Sequence, residues 1–430
     1  MTRIDFPDNT EALHNIGSFI MSYEGYQNAF LNALVNRIAR VIVTSKMWEN
    51  PWAVFKKGYL EYGETVEEIF ANVARPYSFD PQKAETELYK REIPDVRAAF
   101  HSMNWQKYYP VTISNDQLRQ SFLSYGELYD LVAKIIDTLY TGMQLDEYLT
   151  MKYMVAREAL NGGIYPVTAD ATDPTAAVTL FREYTNNLTF LKTTYNRAHV
   201  RNATRVEDQI ILVPNAVEAV IGVQVLANAF NISEVQYLGQ RVPIDSFTFD
   251  ADDKARLAIL FENDDSYLPF NTNEESLLST IVALKVDRNW WMVFDNYQQF
   301  TENYNGRGLY WQYFFHAWKT FSVSPYANAI LFTSSTNTIT TVTVSPDEVT
   351  AYRGSSVTFE ATVAGTGFVD KSVVWSIANT DDVTSTDTRI DPSNGRLVIA
   401  PNEGAQEIIV RATAVNGVNG VGVVTVTDRS

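Results

Sequence analysis

Residues 305–332 constrain this chain more than any other stretch. Asn305-Gly306-Arg307-Gly308 reads as a turn, and Leu309-Tyr310-Trp311-Gln312-Tyr313-Phe314-Phe315-His316-Ala317-Trp318-Lys319-Thr320-Phe321 follows it. Ser322-Val323-Ser324-Pro325-Tyr326-Ala327-Asn328-Ala329-Ile330-Leu331-Phe332 completes the run. Aromatic and β-branched residues at this density favour strands buried on at least one face. Rings of this size need apolar neighbours over most of their area. The segment therefore predicts the closing strands of a main body, with Trp311 and Trp318 in its core.

The chain before it is mixed. Phe30, Leu31, Leu34, Val35, Ile38 and Val41 recur at helical steps. From residue 48 to 113 no period is sustained. Trp48, Trp52, Phe55, Tyr59 and Tyr62 sit among Pro51, Gly58 and Gly63, and Pro76, Pro81, Pro94 and Pro110 forbid a long regular element. A short helix is expected to start at Glu64 or Thr65. Such an excursion has little core of its own, so its five aromatic residues are expected to lie against a second copy of the chain.

Ser114 and Gln117 have capping-box spacing. A helix ending at Gly142 is predicted, then a second from Asp146 to Asn161, about 24 Å long at 1.5 Å per residue. A helix is expected from Thr175 to Ala198, a buried strand at residues 209–214, and a buried helix from Ala216 to Phe230. Leu257-Ala258-Ile259-Leu260-Phe261 and Trp290-Trp291-Met292-Val293-Phe294 read as strands.

Past the Ser/Thr/Asn stretch at 334–340 the character changes. Short alternating strands at turn spacing, with Asn394-Gly395 as a tight-turn signal, predict a β-sandwich with Trp375 at its centre.

Three sets of residues carry a resemblance. Gly308-Leu309-Tyr310-Trp311-Gln312-Tyr313 with Val323-Ser324-Pro325-Tyr326-Ala327-Asn328-Ala329 is similar to the major capsid proteins of phi-29-type tailed bacteriophages. Phe55-Lys56-Lys57-Gly58, Gly63-Glu64-Thr65-Val66-Glu67-Glu68-Ile69-Phe70 and Arg91-Glu92-Ile93-Pro94-Asp95-Val96 resemble the extended loop of that family. The segment with Trp375-Ser376 and Ile409-Val410-Arg411-Ala412-Thr413 resembles a group 2 bacterial immunoglobulin-like domain.

The likeness implies an α+β fold of the Hong Kong-97 type followed by an all-β immunoglobulin-like sandwich. Its parts would be an N-terminal arm (1–47), an extended loop (48–113), a peripheral domain (114–175 and 291–334), an axial domain (176–290), a linker (335–341) and the immunoglobulin-like domain (342–428). It implies a homo-oligomer of pentamers and hexamers, assembled with scaffolding and portal proteins into a virion head that encloses double-stranded DNA. It also implies synthesis in the host cytoplasm, and the first residues, without an apolar core, are not expected to be a signal peptide.

The charge and the missing motifs agree with a shell. A net charge of −17 disfavours condensing DNA or binding anionic lipid. The chain lacks cysteine, and no apolar run approaches a membrane span. His14, His101, His199 and His316 are far apart, so no metal or cofactor site is expected, and His316 is expected to be a packed core histidine. Glu67-Glu68 reads as solvated or intersubunit charge. Asp250-Ala251-Asp252-Asp253 and Asp264-Asp265 lack the full spacing of a calcium loop. Gly417, Gly420 and Gly422 echo a phosphate loop, but no helix follows, so turn and edge glycines are expected. An enzyme is not expected. The alternatives are a surface adhesin, which needs a secretion signal, and a carbohydrate-binding or carbohydrate-active protein, which needs two convergent carboxylates.

Overall fold

The structure is a computed structural model. It describes residues 48–60, 65–74, 95–114, 125–170, 172–224, 239–262, 266–308 and 310–428, with the isolated positions 76, 79, 81 and 264. The expectations for residues 1–47, Tyr62, the Gln117 cap and the end of the helix predicted to Phe230 lie outside these. Two compact units are present: Met1–Glu49, Lys107–Gln144 and Gln298–Ala317 in one, and Asn50–Gln106, Leu145–Tyr297 and Trp318–Ser430 in the other.

The excursion holds a hairpin. Strand β1 (Thr65–Ala71) pairs antiparallel with β2 (Val96–Ser102). The helix expected at Glu64 or Thr65 is therefore a strand, since Thr65, Val66 and Ile69 suit a pleated ribbon. Strand β3 (Trp105–Ser114) follows, and then helix α1 (Tyr125–Leu160). That helix corrects the division at Gly142. One glycine costs a helix interior about 1 kcal/mol, and packing of Leu139, Met143 and Leu149 overrides it.

Strand β4 (Tyr165–Thr168) leads to α2 (Pro174–Asn187), whose cap Asp173 accepts from the Thr175 and Ala176 amides. This helix stops well short of Ala198, and the Leu188 amide closes its last turn on Tyr184 O. Next come β5 (Gln209–Pro214), α3 (Asn215–Gln224 within the described residues) and β6 (Gln240–Ile244). The strand expected at residues 257–261 is instead part of helix α4 (Ala251–Leu260). Asp250 caps it by accepting from the Asp253 amide at 2.7 Å, so a local start signal outweighs the apolar run. Helix α5 (Thr272–Leu278) opens with a complete capping box, Asn271 with Glu274.

Strands β7 (Ile281–Asp287), β8 (Trp291–Asn305), β9 (Tyr310–Val323) and β10 (Ala329–Thr333) finish the main body. A five-stranded sheet runs β4-β10-β7-β5-β6, with β5, β7 and β10 buried along their whole length. Continuous apolar strands are what a sheet covered on both faces requires. One face packs on α2, where Phe181 meets Phe332 at 4.7 Å. Lys285 interrupts β7. Its ammonium group donates to Thr185 Oγ1 and Phe181 O, and burial pulls its pKa down to about 7. A second sheet, β3-β9-β8, places the aromatic run at its centre.

The C-terminal region is all β. Strands β11 (Thr338–Ser345), β12 (Glu348–Tyr352), β13 (Ser356–Thr358), β14 (Glu360–Thr366), β15 (Val373–Ile377), β16 (Arg389–Ile390), β17 (Arg396–Val398), β18 (Glu407–Ala414) and β19 (Asn419–Thr427) form sheets β11-β14, β12-β19-β18-β15 and β13-β17-β16. One core joins them, containing Phe359, Trp375, Leu397, Ile408, Val410 and Val424. Gly395 sits at φ +69 in the turn before β17, and a Cβ there would lie 2.8 Å from the Trp375 ring.

Candidate assembly surface

The root of the excursion is buried within its own chain. Asn50 accepts from the Trp52 amide and starts a short turn of helix, Pro51–Phe55. That turn carries Trp52 and Phe55 into the interior, where both are fully buried. Phe55 stacks on Trp291 at 5.0 Å, Trp52 meets Trp291 at 5.3 Å and Tyr148 at 5.2 Å, and the Trp52 indole N–H donates to Pro243 O. The expectation of intersubunit contact is therefore corrected for Trp52 and Phe55. Helical spacing, with Asn50 as cap, turns both rings inward. Trp48 and Tyr59 stay exposed.

A closed ring of charges lies beside these aromatics. Glu147 on α1 contacts Lys319 on β9, and both side chains are fully buried. Lys319 reaches Asp295 at 2.6 Å, Lys56 reaches Asp295 at 2.6 Å and Glu147 at 3.0 Å, and the Asn50 amide donates to Glu147. Two ammonium groups and two carboxylates balance. Burial opposes the charge on Lys56, but Glu147 and Asp295 outweigh it and hold its pKa up. Burial pushes the Asp295 carboxyl up, and Lys319 with Lys56 holds it below its ordinary value. The ring ties the excursion to α1, β8 and β9.

The hairpin beyond has two unlike faces. Its inner face carries Glu68, His101 and Arg97 with Phe70 and touches the body. His101 on β2 bridges Glu68 at 3.1 Å and Ser322 Oγ at 2.8 Å, and the Ser324 hydroxyl donates to Glu68 at 2.7 Å. Arg97 donates to Ala198 O, and Phe70 stacks on Tyr326 at 5.3 Å. Strand alternation sends Glu67 to the opposite face, so the Glu67-Glu68 pair is split.

The outer face carries Thr65, Glu67, Ile69 and Ala71 opposite Ser102, Phe100, Ala98 and Val96. Ile69 is 63% exposed and Phe100 68%. A two-stranded ribbon holds little stability alone, and a contiguous bare apolar face marks a contact surface. Phe79 is 93% exposed. Sequence reasoning placed the contact at the aromatics and missed this alternation, although Ile69, Ala71, Val96, Ala98 and Phe100 carry it as a period of two.

The other singled-out residues fall elsewhere. Trp318 is 36% exposed and lies against Tyr297 at 4.6 Å, so its core assignment is corrected. Alternation along β9 gives the interior to Ala317 and Lys319 instead. Trp311 is on β9, and Trp375 is buried against Phe359. His316 is only half-buried, stacked on Tyr108 at 5.9 Å, on the exposed side of its sheet. Asp264 closes a turn on the Ser266 amide and hydroxyl. Gly417 is in the turn before β19, and Gly420 and Gly422 are within that strand.

A cleft of about 440 Å³ between hairpin and body is lined by Glu68, Asp208, Asp287, Thr204 and Arg205. Among the described residues no group of three His, Asp or Glu side chains is placed to hold a metal ion, and no helix is long and apolar enough to cross a membrane.

Residues 7–333 match the family described as Phi29-like phage major capsid protein. The chain is 34% identical over 417 residues to the major capsid protein of Bacillus phage B103, covering 94% of this chain and 84% of that one. It is 33% identical over 406 residues to the major capsid protein of Bacillus phage PZA, covering 93% and 83%. Its fold is similar to a chain in the capsid structure of Staphylococcus phage Andhra, with a TM-score of 0.56, 16% identity, and 70% and 88% of the two chains covered.

Proposed function

The chain belongs to the Phi29-like phage major capsid protein family, and we propose that its copies are joined chiefly through the outer face of the β1–β2 hairpin. It is a structural protein, not an enzyme, and it builds the multimeric shell of a tailed-phage head. The single observation behind the hairpin reading is the bare stripe of Ile69, Ala71, Val96, Ala98 and Phe100 on a ribbon whose other face is already engaged. Burying such side chains gains about 25 cal/mol per Å², and a shell repeats each modest contact around every copy. Trp48, Tyr59 and Tyr62 are proposed as further intersubunit contacts, of which Trp48 and Tyr59 are exposed.

The finer architecture follows the family pattern. The proposed parts are an N-terminal arm (1–47), an extended loop (48–113), peripheral (114–175, 291–334) and axial (176–290) domains of a Hong Kong-97-type fold, a linker (335–341) and a group 2 immunoglobulin-like domain (342–428). The long helix α1, the central five-stranded sheet and the C-terminal strands around Trp375 support that division. Pentamers and hexamers, scaffolding and portal proteins as assembly partners, and synthesis in the host cytoplasm belong to the same proposal. A net charge of −17 suits a wall that encloses packaged DNA without adhering to it.

The test is the pair Ile69→Asp and Phe100→Asp. Both variants are expected to stay folded and soluble while closed particles disappear from sedimentation profiles and electron micrographs. Normal particle yield from either one would overturn the hairpin as the joining surface.

A further inference from the structure

Another cavity, of about 240 Å³, lies between α1, the start of β3 and the residues after α4. Its walls include Trp105, Tyr153, Arg157, Glu158, Phe261 and Leu268. Tyr153 and Arg157 are four residues apart on α1, so one helix face supplies both.

Two of these side chains are buried with a donor unused. Arg157 is 8% exposed and held firmly: Nη1 donates to Glu274 at 2.8 Å, Nη2 donates to Leu268 O, and the guanidinium lies over the Phe270 ring at 4.3 Å. Its Nε–H has no hydrogen-bond partner among the described residues. Trp105 is 2% exposed and sits edge-on to Phe321 at 5.7 Å, beside Asn104, which exchanges two hydrogen bonds of 2.9 Å with the Phe321 backbone. Its indole N–H also has no partner among the described residues. A buried N–H left unmatched costs stability, so two on the walls of one cavity call for acceptors from elsewhere.

The rest of the wall narrows the guest. Glu158 and Asp264 both line the cavity, which disfavours an anion. Asp264 is engaged by the Ser266 amide and hydroxyl. Burial pushes the Glu158 carboxyl up, with Arg197 at 3.5 Å opposing, so a further N–H donor would relieve it. Tyr153 and Phe261 offer rings 5.6 Å apart, and Leu268 is 55% exposed beside them. Unused donors, a carboxylate acceptor and an apolar wall match a neutral group that both accepts and donates, the peptide amide with an apolar side chain.

We propose that this cavity is a socket for a backbone segment of a second copy of the chain. Carbonyl oxygens of that segment accept from Trp105 Nε1 and Arg157 Nε, a backbone N–H donates to Glu158, and an apolar side chain lies against Tyr153, Phe261 and Leu268. The family builds a multimeric shell, so further copies surround every subunit. A cavity cannot pair with itself, so the contact joins unlike surfaces, the kind that closes copies into rings.

The test begins with Trp105→Phe, which removes the N–H and keeps a ring. A donor that served the chain's own fold would be missed in the unassembled variant. In the socket its partner arrives only on assembly, so the denaturant midpoint of the unassembled variant should hold or rise. The chain concentration needed for closed particles should rise about fivefold, the effect of one hydrogen bond lost per copy. Leu268→Asp puts a charge on an exposed wall position and should raise that concentration too; it carries the test if Trp105→Phe fails to fold. Density for the assembled shell should place a neighbour's carbonyl oxygen about 3 Å from Trp105 Nε1. Parent-like assembly by both folded variants would overturn the socket. So would a stability loss in unassembled Trp105→Phe that accounts for its missing particles, or shell density with water alone or the chain's own residues in the cavity. Both variants leave the outer face of the β1–β2 hairpin unaltered, so this outcome and that of Ile69→Asp and Phe100→Asp are read separately.

Discussion

Phe55 lies flat against Trp291, the ring planes 1° apart and the centroids 5.0 Å apart. Through this pair the start of the excursion becomes part of the body's interior. The aromatics at the root act on whether the chain folds, and in the proposed assembly the hairpin acts on whether folded chains join.

Trp52→Ala should therefore act on stability first. The side chain is fully buried, touches Phe55, Tyr148 and Trp291, and donates to Pro243 O. Truncating a ring in such a place costs about 3–5 kcal/mol. Denaturant unfolding of the unassembled chain should show a loss of that size, with particle yield falling in proportion to folded chain. An unchanged midpoint with lost assembly would return Trp52 to the intersubunit role.

The Lys56–Glu147–Lys319–Asp295 ring gives a prediction with a sign in pH. Lys319→Met leaves Glu147 and Asp295 to share Lys56, and breaking a buried ion pair from one side costs about 3–5 kcal/mol. Asp295 has a depressed pKa, so its contribution is complete above about pH 4 and is lost as the pH falls through its lower folded-state value. Lys56 has a raised pKa, so its contribution is complete below about pH 10 and is lost as the pH rises through the higher value. Unfolding midpoints against pH should show a plateau between these limits for the parent. For Lys319→Met the plateau should be lower and the acid limb shallower. Matching curves would show that the ring contributes nothing net.

Glu403 sets the acid limit of the C-terminal region. It accepts from the Thr384 amide and hydroxyl at 2.9 Å each, the Ala405 amide at 2.9 Å and the Thr388 hydroxyl at 2.5 Å. Burial opposes the charge, but these donors hold the pKa at about 2. Stability from Glu403 is present above about pH 4 and fades as the pH drops toward 2. Glu403→Gln should lose about 1.5–3 kcal/mol at neutral pH, the scale of a charge-assisted hydrogen bond, and should unfold less steeply in acid. The melting of this region, followed by Trp375 fluorescence, is the readout, and a variant as stable as the parent at pH 7 would refute the role.

What the sequence disclosed follows the range of each signal. The buried strands β5 and β10 and the Asn394-Gly395 turn are set within a few residues, and their local chemistry is readable; the caps at Asp173 and Asn271 are just as local but were not among the readings. The strand in place of a helix at residues 65–71, and the helix in place of a strand at residues 257–261, were decided by a pairing partner 30 residues away and by a cap seven residues upstream. The joining surface was half legible. The sequence pointed to the excursion for the proposed surface, but which side chains stay bare depends on Tyr148, Pro243 and Trp291 claiming Trp52 and Phe55 from far along the chain.

Gly162 tests whether the C-terminal β-region is a rigid part of the shell subunit or a tethered attachment. Its φ of +74 costs any other residue about 1 kcal/mol, and the Val369 carbonyl occupies the space a Cβ would need. Gly162→Ala therefore cannot keep both the helix end and the seat of the β-region on it, where the Lys371 amide donates to Gly162 O. Neighbours are packed on either side of the contact, so the loop at residues 367–372 should withdraw while α1 stays intact. Exchange protection should fall at residues 367–372 and hold in β5, β7 and β18. If closed particles still form from this variant, the seat serves the outer surface of the shell. If the chain stays folded and soluble yet no longer closes, the β-region fixes the angle between subunits. Unchanged protection at residues 367–372 would mean that the contact at Gly162 does not hold the β-region at all.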